Sequence, residues 1–318
     1  VPLVQRGIAQ GVDDGLNPIR ERRQISAILR GFAWAVIWSP TAIAPLVVAR
    51  LIPGTDRGRW FIIGICVFAL ILALGAAEDA WRFRGYRGRA QRPVRPPVPW
   101  RAFGRFALAC LWLFGAALTI SALTGRDVIP GLLVACPVML LGWQAVQVGW
   151  PARPGAAAEF MARMGRIHAR LPGAAGVAVT LAGSGFVGKV AADLVPAAEL
   201  GRLLGIEALP DFVLLSLIPV VLSAMSLLAL SPIMTAVFFG GLFGALPVLP
   251  ADPTLIAFAI SCGWGLSMTL APVSTPVLLI NRVAGLAPRM VSFGWNGWFC
   301  AICAAAMWPI FWLLTGGQ

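Results

Sequence analysis

Charged residues are scarce in this sequence. They make up 12% of its 318 residues, where a soluble globular domain carries about 25%. There is one histidine, His168, and one tyrosine, Tyr86. The shortage of charge excludes an ordinary soluble domain, and a hydrophobic content of 59% excludes a disordered chain. A single histidine with no acidic cluster excludes the usual zinc sites. Within the apolar stretches there is no histidine and no paired carboxylate, so no catalytic acid–base or metal centre is visible and an enzyme is not expected. The six cysteines, Cys66, Cys110, Cys136, Cys262, Cys300 and Cys303, all lie in apolar stretches, where cysteine behaves as a small hydrophobe. Cys300 and Cys303 form a CxxC, but without the βαβ setting of a redox motif.

What the chain has in abundance is apolar sequence, with a mean hydropathy of +0.83. A helix needs about 20 apolar residues to cross the hydrocarbon core. Stretches at 31–49, 61–78, 106–124, 128–149, 174–196, 254–281 and 291–314 meet that need. The expected class is therefore all-α, a polytopic membrane protein of about seven spans. The stretch 212–249 is also apolar but is interrupted at Ser231-Pro232 with no charge at the break. A re-entrant helical hairpin needs no polar turn, provided its tip is buried in protein or faces water. Two spans joined by a tight proline turn are the alternative.

The net charge of +12 would suggest nucleic acid in a soluble protein. Here the arginines fall between apolar stretches and read as an orientation signal, so no nucleic-acid partner is expected. Segments 1–30, 81–105, 150–173 and 282–290 hold 19 of the 25 basic residues and fall on one side of the predicted membrane. That side is expected to be cytoplasmic, with the N-terminus inside and the C-terminus periplasmic in a bacterial inner membrane. Trp60, Trp81, Trp100, Trp150 and Trp308 fit an interfacial belt, whereas Trp34 and Trp38 suit packing. The loop 154–172 reads either as an amphipathic helix on the lipid surface or as a short connector.

Two segments resemble each other without a gap. GFAWAVIWSPTAIAPLVVAR at 31–50 aligns with GWGLSMTLAPVSTPVLLINR at 263–282. Gly31 matches Gly263, Pro40 matches Pro272, Leu46 matches Leu278 and Arg50 matches Arg282, with Ser/Thr beside the prolines in both. The predicted topology sets the copies in opposite orientations. Inverted repeats of proline-broken helices are the signature of a secondary transporter. Proline frees backbone carbonyls, and half-helix N-termini attract anions. Proline kinks with hydroxyls also serve plain helix packing.

With this order of elements the chain resembles the ion transporter superfamily of anion–sodium symporters, citrate and arsenite permeases and some sodium–proton antiporters. Residues 106–318 match one whole repeat: three spans, hairpin 212–249, broken span 254–281 and final span 291–314. Residues 1–105 match the end of the other repeat, broken span 31–49 and span 61–78, followed by a basic linker. By repeat symmetry roughly 110 further residues are expected upstream of Val1. The resemblance implies substrate or ion binding by Ser231, Pro232 and Thr235 at the hairpin tip. It also implies binding by Ser39, Pro40 and Thr41, and by Pro272, Ser274 and Thr275, at the two helix breaks. Asn281, beside the second break, is a further candidate ligand. The Ser-Asn-Thr motif of the dicarboxylate symporters is absent, since the tip reads LSPIMTA. The resemblance further implies a homodimer, and no cofactor beyond Na⁺ as a coupling ion.

Ionisable residues inside spans are costly and mark function by default. Lys189 and Asp193 stand four apart in the span 174–196, as a coupling pair or as a structural pair near its end. Glu78 and Asp79, at a span end, are expected to meet Arg82 or Arg84. The sequence thus points to transport of a small anion or organic acid coupled to Na⁺ or H⁺. A cation–proton antiporter and a non-transporting membrane subunit are the alternatives.

Overall fold

The structure is a computed structural model describing residues 5, 8, 15–39, 42–86, 100–125, 128–150, 152–196, 199, 201, 205 and 209–317. The regular structure of the described residues is all helical. Twelve α-helices are used below: α1 Asn17–Trp34, α2 Ile43–Leu51, α3 Arg57–Arg82, α4 Trp100–Thr124, α5 Val128–Val148, α6 Ala156–Arg170, α7 Ala175–Leu194, α8 Asp211–Leu227, α9 Pro232–Gly244, α10 Pro253–Leu270, α11 Thr275–Ala284 and α12 Asn296–Thr315. Among the described residues, five helical segments are long and apolar enough to cross a membrane: 57–82, 104–124, 128–148, 253–284 and 290–315. The bent pair 156–173 and 178–194, turned by 44°, makes a sixth if taken as one span. The expected span 31–49 does not qualify, because it is cut between Ile37 and Ile43 and leaves only the 9-residue α2 beyond the cut.

By contact the chain divides into residues 1–94 with 183–318, and residues 95–182. In the smaller unit α4 and α5 pack closely where Gly131 meets the backbone of Ala117. The segment read as helix or connector is helix α6. Its Arg163 binds Glu159 at 2.9 Å and Gln147 at 3.2 Å, and Phe160 stacks on Trp150.

The larger unit is built around α10. Every residue from Thr254 to Thr269 is buried, and a helix apolar all round needs partners on every side. Those partners are α1, α2, α3, α8, α9 and α12. Two glycines let the closest ones in. A Cβ on Gly263 would sit 2.9 Å from that of Leu222 on α8, and one on Gly265 would press on Ala33 and Trp34 of α1. Trp60, expected at the interface, is buried instead, since its Nε1 donates to Ile37 O at 2.8 Å. Trp81, Trp100, Trp150 and Trp308 are exposed.

One end of this bundle is tied by side-chain caps. Asp56 accepts from the amides of Gly58 and Arg59, and Asp252 accepts from that of Leu255. Arg59 reaches Asp252 at 2.8 Å, and Thr254 Oγ1 accepts from the Asp56 amide at 3.0 Å. These carboxylates also offset the positive helix ends of α3 and α10.

The stretch 212–249 forms α8 and α9, of 17 and 13 residues. At about 1.5 Å per residue neither reaches across a hydrocarbon core of about 30 Å. The turn between them uses Ala229 at φ 66°. An L-residue there pays roughly 1 kcal/mol that glycine does not. Ala229→Gly is therefore expected to stabilise the protein by about that amount, and Ala229→Val to destabilise it, read from thermal unfolding in detergent.

Candidate functional site at the helix breaks

Three apolar helices start at interruptions in the larger unit. α2 follows the break after the 3₁₀ turn Ala35–Ile37, α9 follows the hairpin turn, and α11 follows residues 271–274. None of their N-caps, Ala42, Ser231 and Ser274, bonds its own helix start through a side chain. The first amides of such a helix have no partner within it, and the aligned peptide dipoles place partial positive charge there. α2, α9 and α10 pack against one another, so α10 is the wall shared by the first break and the hairpin.

Of the residues proposed to bind, Pro40 and Thr41 lie outside the described residues. Ser39 ends the turn after α1, with its amide on Ala35 O at 3.0 Å. Ser231 and Pro232 begin α9, and Thr235 is buried with its hydroxyl turned onto Pro232 O at 3.1 Å. Pro272 and Ser274 form the second break, where Ser274 Oγ donates to Met268 O at 2.8 Å and so satisfies the end of α10. Thr275 opens α11 and is exposed. Asn281 stands apart at the far end of α11, where its Nδ2 donates to Leu286 O at 2.9 Å beside the left-handed Gly285. Lys189 and Asp193 do pair, at 2.5 Å, with 55% and 60% of their side chains exposed.

Sequence reasoning missed a second set of hydroxyls. Ser226, Ser261 and Ser267 are fully buried, and their Oγ atoms have no hydrogen-bond partner among the described residues. Serine in a helix usually bonds back to the carbonyl four residues earlier. Ser216, Ser223 and Thr269, on the same two helices, do so at 2.6, 2.7 and 3.0 Å. The other three do not.

Two of them face each other by helix geometry. α8 and α10 both begin beside the later half of α12, Phe212 against Trp308 and Phe258 against Phe311. Pro219 and Leu222 lie on Gly263, so α8 and α10 run in the same direction. Ser226 is one turn beyond Leu222 and Ser267 one turn beyond Gly263, which puts both on the facing stripes. Each sits just before its break. Residues 223–235 and 263–280 contain no ionisable side chain. The arrangement offers hydroxyls and helix ends, the groups suited to holding an anion or a desolvated small ion without fixed charge.

The other missed feature is a buried ionic network. Arg30, at the close of the basic N-terminal segment, is only 7% exposed. Its Nε donates to Asn296 Oδ1 at 2.8 Å, Nη1 to Gly75 O at 3.2 Å and Nη2 to Glu78 Oε2 at 3.0 Å. The guanidinium lies 4.2 Å from the centroid of the Phe299 ring. Glu78 also accepts from Arg82 at 3.0 Å, as expected, while Asp79 pairs with Arg23 at 2.6 Å. Asn296 Nδ2 donates to Val291 O at 2.7 Å, inside a π-helical turn, Met290–Trp295. The network thus ties α1, which leads into the first break, to α3 and to the widened start of α12. The sequence signal was there: a basic residue at one span edge and an acid at another.

Removing one partner of a buried ion pair leaves the other uncompensated and costs about 3 kcal/mol or more. Glu78→Gln is expected to destabilise by that order, and the double variant R30M/E78M by less than either single change, measured by thermal unfolding in detergent. No family model matches this sequence, and no curated protein or solved structure is similar to it.

Proposed function

We propose that the protein is a secondary active transporter of a small anion or organic acid, coupled to Na⁺ or H⁺, with its binding site at the helix breaks. One observation carries this reading. The second half-helices start at Ile43 and Thr275, 232 residues apart, the offset at which segments 31–50 and 263–282 align. Two helices of related sequence broken at equivalent residues favour an internal repeat, and discontinuous helices meeting at mid-membrane are how transporters build ion and substrate sites.

The short α8 and α9 support a re-entrant hairpin whose tip joins that site. The unpartnered hydroxyls of Ser226 and Ser267 support ligand contact there, because buried polar groups are otherwise nearly always bonded. The arginine-rich segments favour a cytoplasmic start for α1, which sets the two broken helices antiparallel. Lys189 and Asp193 neutralise each other on an exposed helix face, so they do not supply the coupling site.

Flux in vesicles reconstituted with the whole chain tests this. Ser267→Ala and Ser226→Ala are expected to lower uptake of a carboxylate substrate at least tenfold while leaving the unfolding temperature within a few degrees. Asp193→Asn is expected to leave uptake unchanged. Retained flux in both serine variants would remove the breaks as the site.

A further inference from the structure

The smaller unit carries a groove along its two long helices. α4 and α5 touch at backbone distance where Gly131 meets Ala117. Just past that contact α5 holds Pro137 inside the helix. Proline removes a backbone hydrogen bond and clashes with the preceding turn, which turns a helix aside. From Val138 onward the two helices enclose a groove of about 820 Å³. Gly142 lines it, and a Cβ there would meet nothing within 4 Å.

One end of the groove is polar, marked by Arg105 on α4 and Gln147 on α5. Among the described residues Arg105 makes no hydrogen bond and no ion pair. Residues 95–182 contain two carboxylates. Asp127 follows the opposite end of α4. Glu159 on α6 is already shared by Arg153 at 3.4 Å and Arg163 at 2.9 Å. The charge of Arg105 is therefore not offset by either. Gln147 Oε1 accepts from Arg163 Nη1 at 3.2 Å, which leaves its amide N–H groups to donate. Apart from the indole N–H groups of Trp112 and Trp143, the other side chains of the lining are apolar. Leu108, Trp112 and Val146 are 68%, 45% and 69% exposed.

Arg105 stands at the start of the apolar stretch 104–124 and Gln147 at the end of 128–148. Trp100 and Trp150, just outside these stretches, are exposed. Tryptophan and arginine at the limits of apolar spans mark the headgroup level. From there to Trp112 the groove runs about 10 Å along α4, into the hydrocarbon. A cation without a protein partner at headgroup level, open to an apolar track between helices, matches a molecule with a phosphate at one end and a hydrocarbon chain at the other. We propose that this groove binds an anionic phospholipid, its phosphate on Arg105 and the Gln147 amide and one acyl chain along Leu108, Trp112, Gly142 and Val146. Bound there, the lipid fills the space beyond Pro137 and bridges α4 to α5 at the end away from their close contact. The bond from Arg163 to Gln147 extends that bridge to α6.

The test uses the whole chain in an uncharged detergent, titrated with dioleoyl phosphatidylglycerol, dioleoyl phosphatidylcholine or glycerol 1-phosphate, with thermal unfolding and native mass spectrometry as readouts. Phosphatidylglycerol is expected to stay bound and to raise the unfolding temperature, while the other two do neither. Arg105→Gln is expected to weaken phosphatidylglycerol about tenfold, the scale of one lost charge-assisted bond. Arg84→Gln, which removes an exposed arginine outside the groove, is expected to leave the affinity unchanged. Gly142→Leu keeps every charge but fills the track, and it is expected to weaken the lipid without lowering the unfolding temperature of the lipid-free protein. Equal effects of the two lipids overturn the proposal. So does equal stabilisation by glycerol 1-phosphate, which marks a site for a free anion, or an equal loss in R84Q and R105Q, which marks diffuse attraction. An unchanged affinity in either R105Q or G142L places the lipid elsewhere and overturns it too. None of these readouts involves transport, so they stand or fall apart from the proposed function.

Discussion

The complete burial of α10 is the constraint on which the rest of the larger unit depends. A helix with no exposed face from Thr254 to Thr269 cannot leave its final carbonyls to water. At its end, Ala271 N bonds Ser267 O at 2.9 Å and Ser274 Oγ bonds Met268 O at 2.8 Å. The chain can therefore break inside protein without stranding those groups, which is the condition for irregular backbone at membrane depth. Gly263 and Gly265 belong to the same constraint. Any side chain there would hold α8 and α1 off α10 and open the wall that the breaks share.

Charge is kept to the two ends of this frame. At one end Asp56, Arg59 and Asp252 tie the starts of α3 and α10 together. At the other, Arg30, Glu78 and Asn296 join α1, α3 and α12. The first cluster is partly exposed, with Arg59 and Asp252 in contact with solvent, whereas Arg30 and Glu78 are buried and their desolvation is offset by the bonds they make to each other and to Arg82, Gly75 and Asn296. Between them residues 31–49, 223–235 and 263–280 carry no ionisable side chain. The cation–π contact of Arg30 with Phe299 and the edge contact of Phe299 with Trp34 extend the ionic network to within one turn of the first break.

Much of the fold was legible because proline, glycine and hydropathy act locally. The break at Pro272, the interruption at Ser231-Pro232 and the long helices α3, α4, α5 and α12 follow from residue order alone. What was not legible depended on which side of a helix faces which neighbour. Residue type does not separate Ser223, bonded to Pro219 O, from Ser226, whose hydroxyl has no partner among the described residues. Arg30 reads as the last member of a basic loop until α3 and α12 enclose it. Asn281 is the converse. Its place beside a broken helix suggested a ligand, yet it lies at the other end of α11 and holds Leu286 O.

The absence of fixed charge at the breaks limits what a site there can neutralise. Each half-helix N-terminus contributes about half an elementary positive charge, effective only within its first turn. On the proposed reading, α2, α9 and α11 together offset roughly between one and two negative charges, and the hydroxyls of Ser226 and Ser267 add hydrogen bonds but no charge. A monovalent anion is matched by that field. A divalent one carries an excess that only a bound cation can cancel, and a buried uncompensated charge is far too costly to tolerate. Coupling to a cation would then be built into the site by charge balance rather than by a titrating residue, which accords with the lack of any carboxylate in these segments.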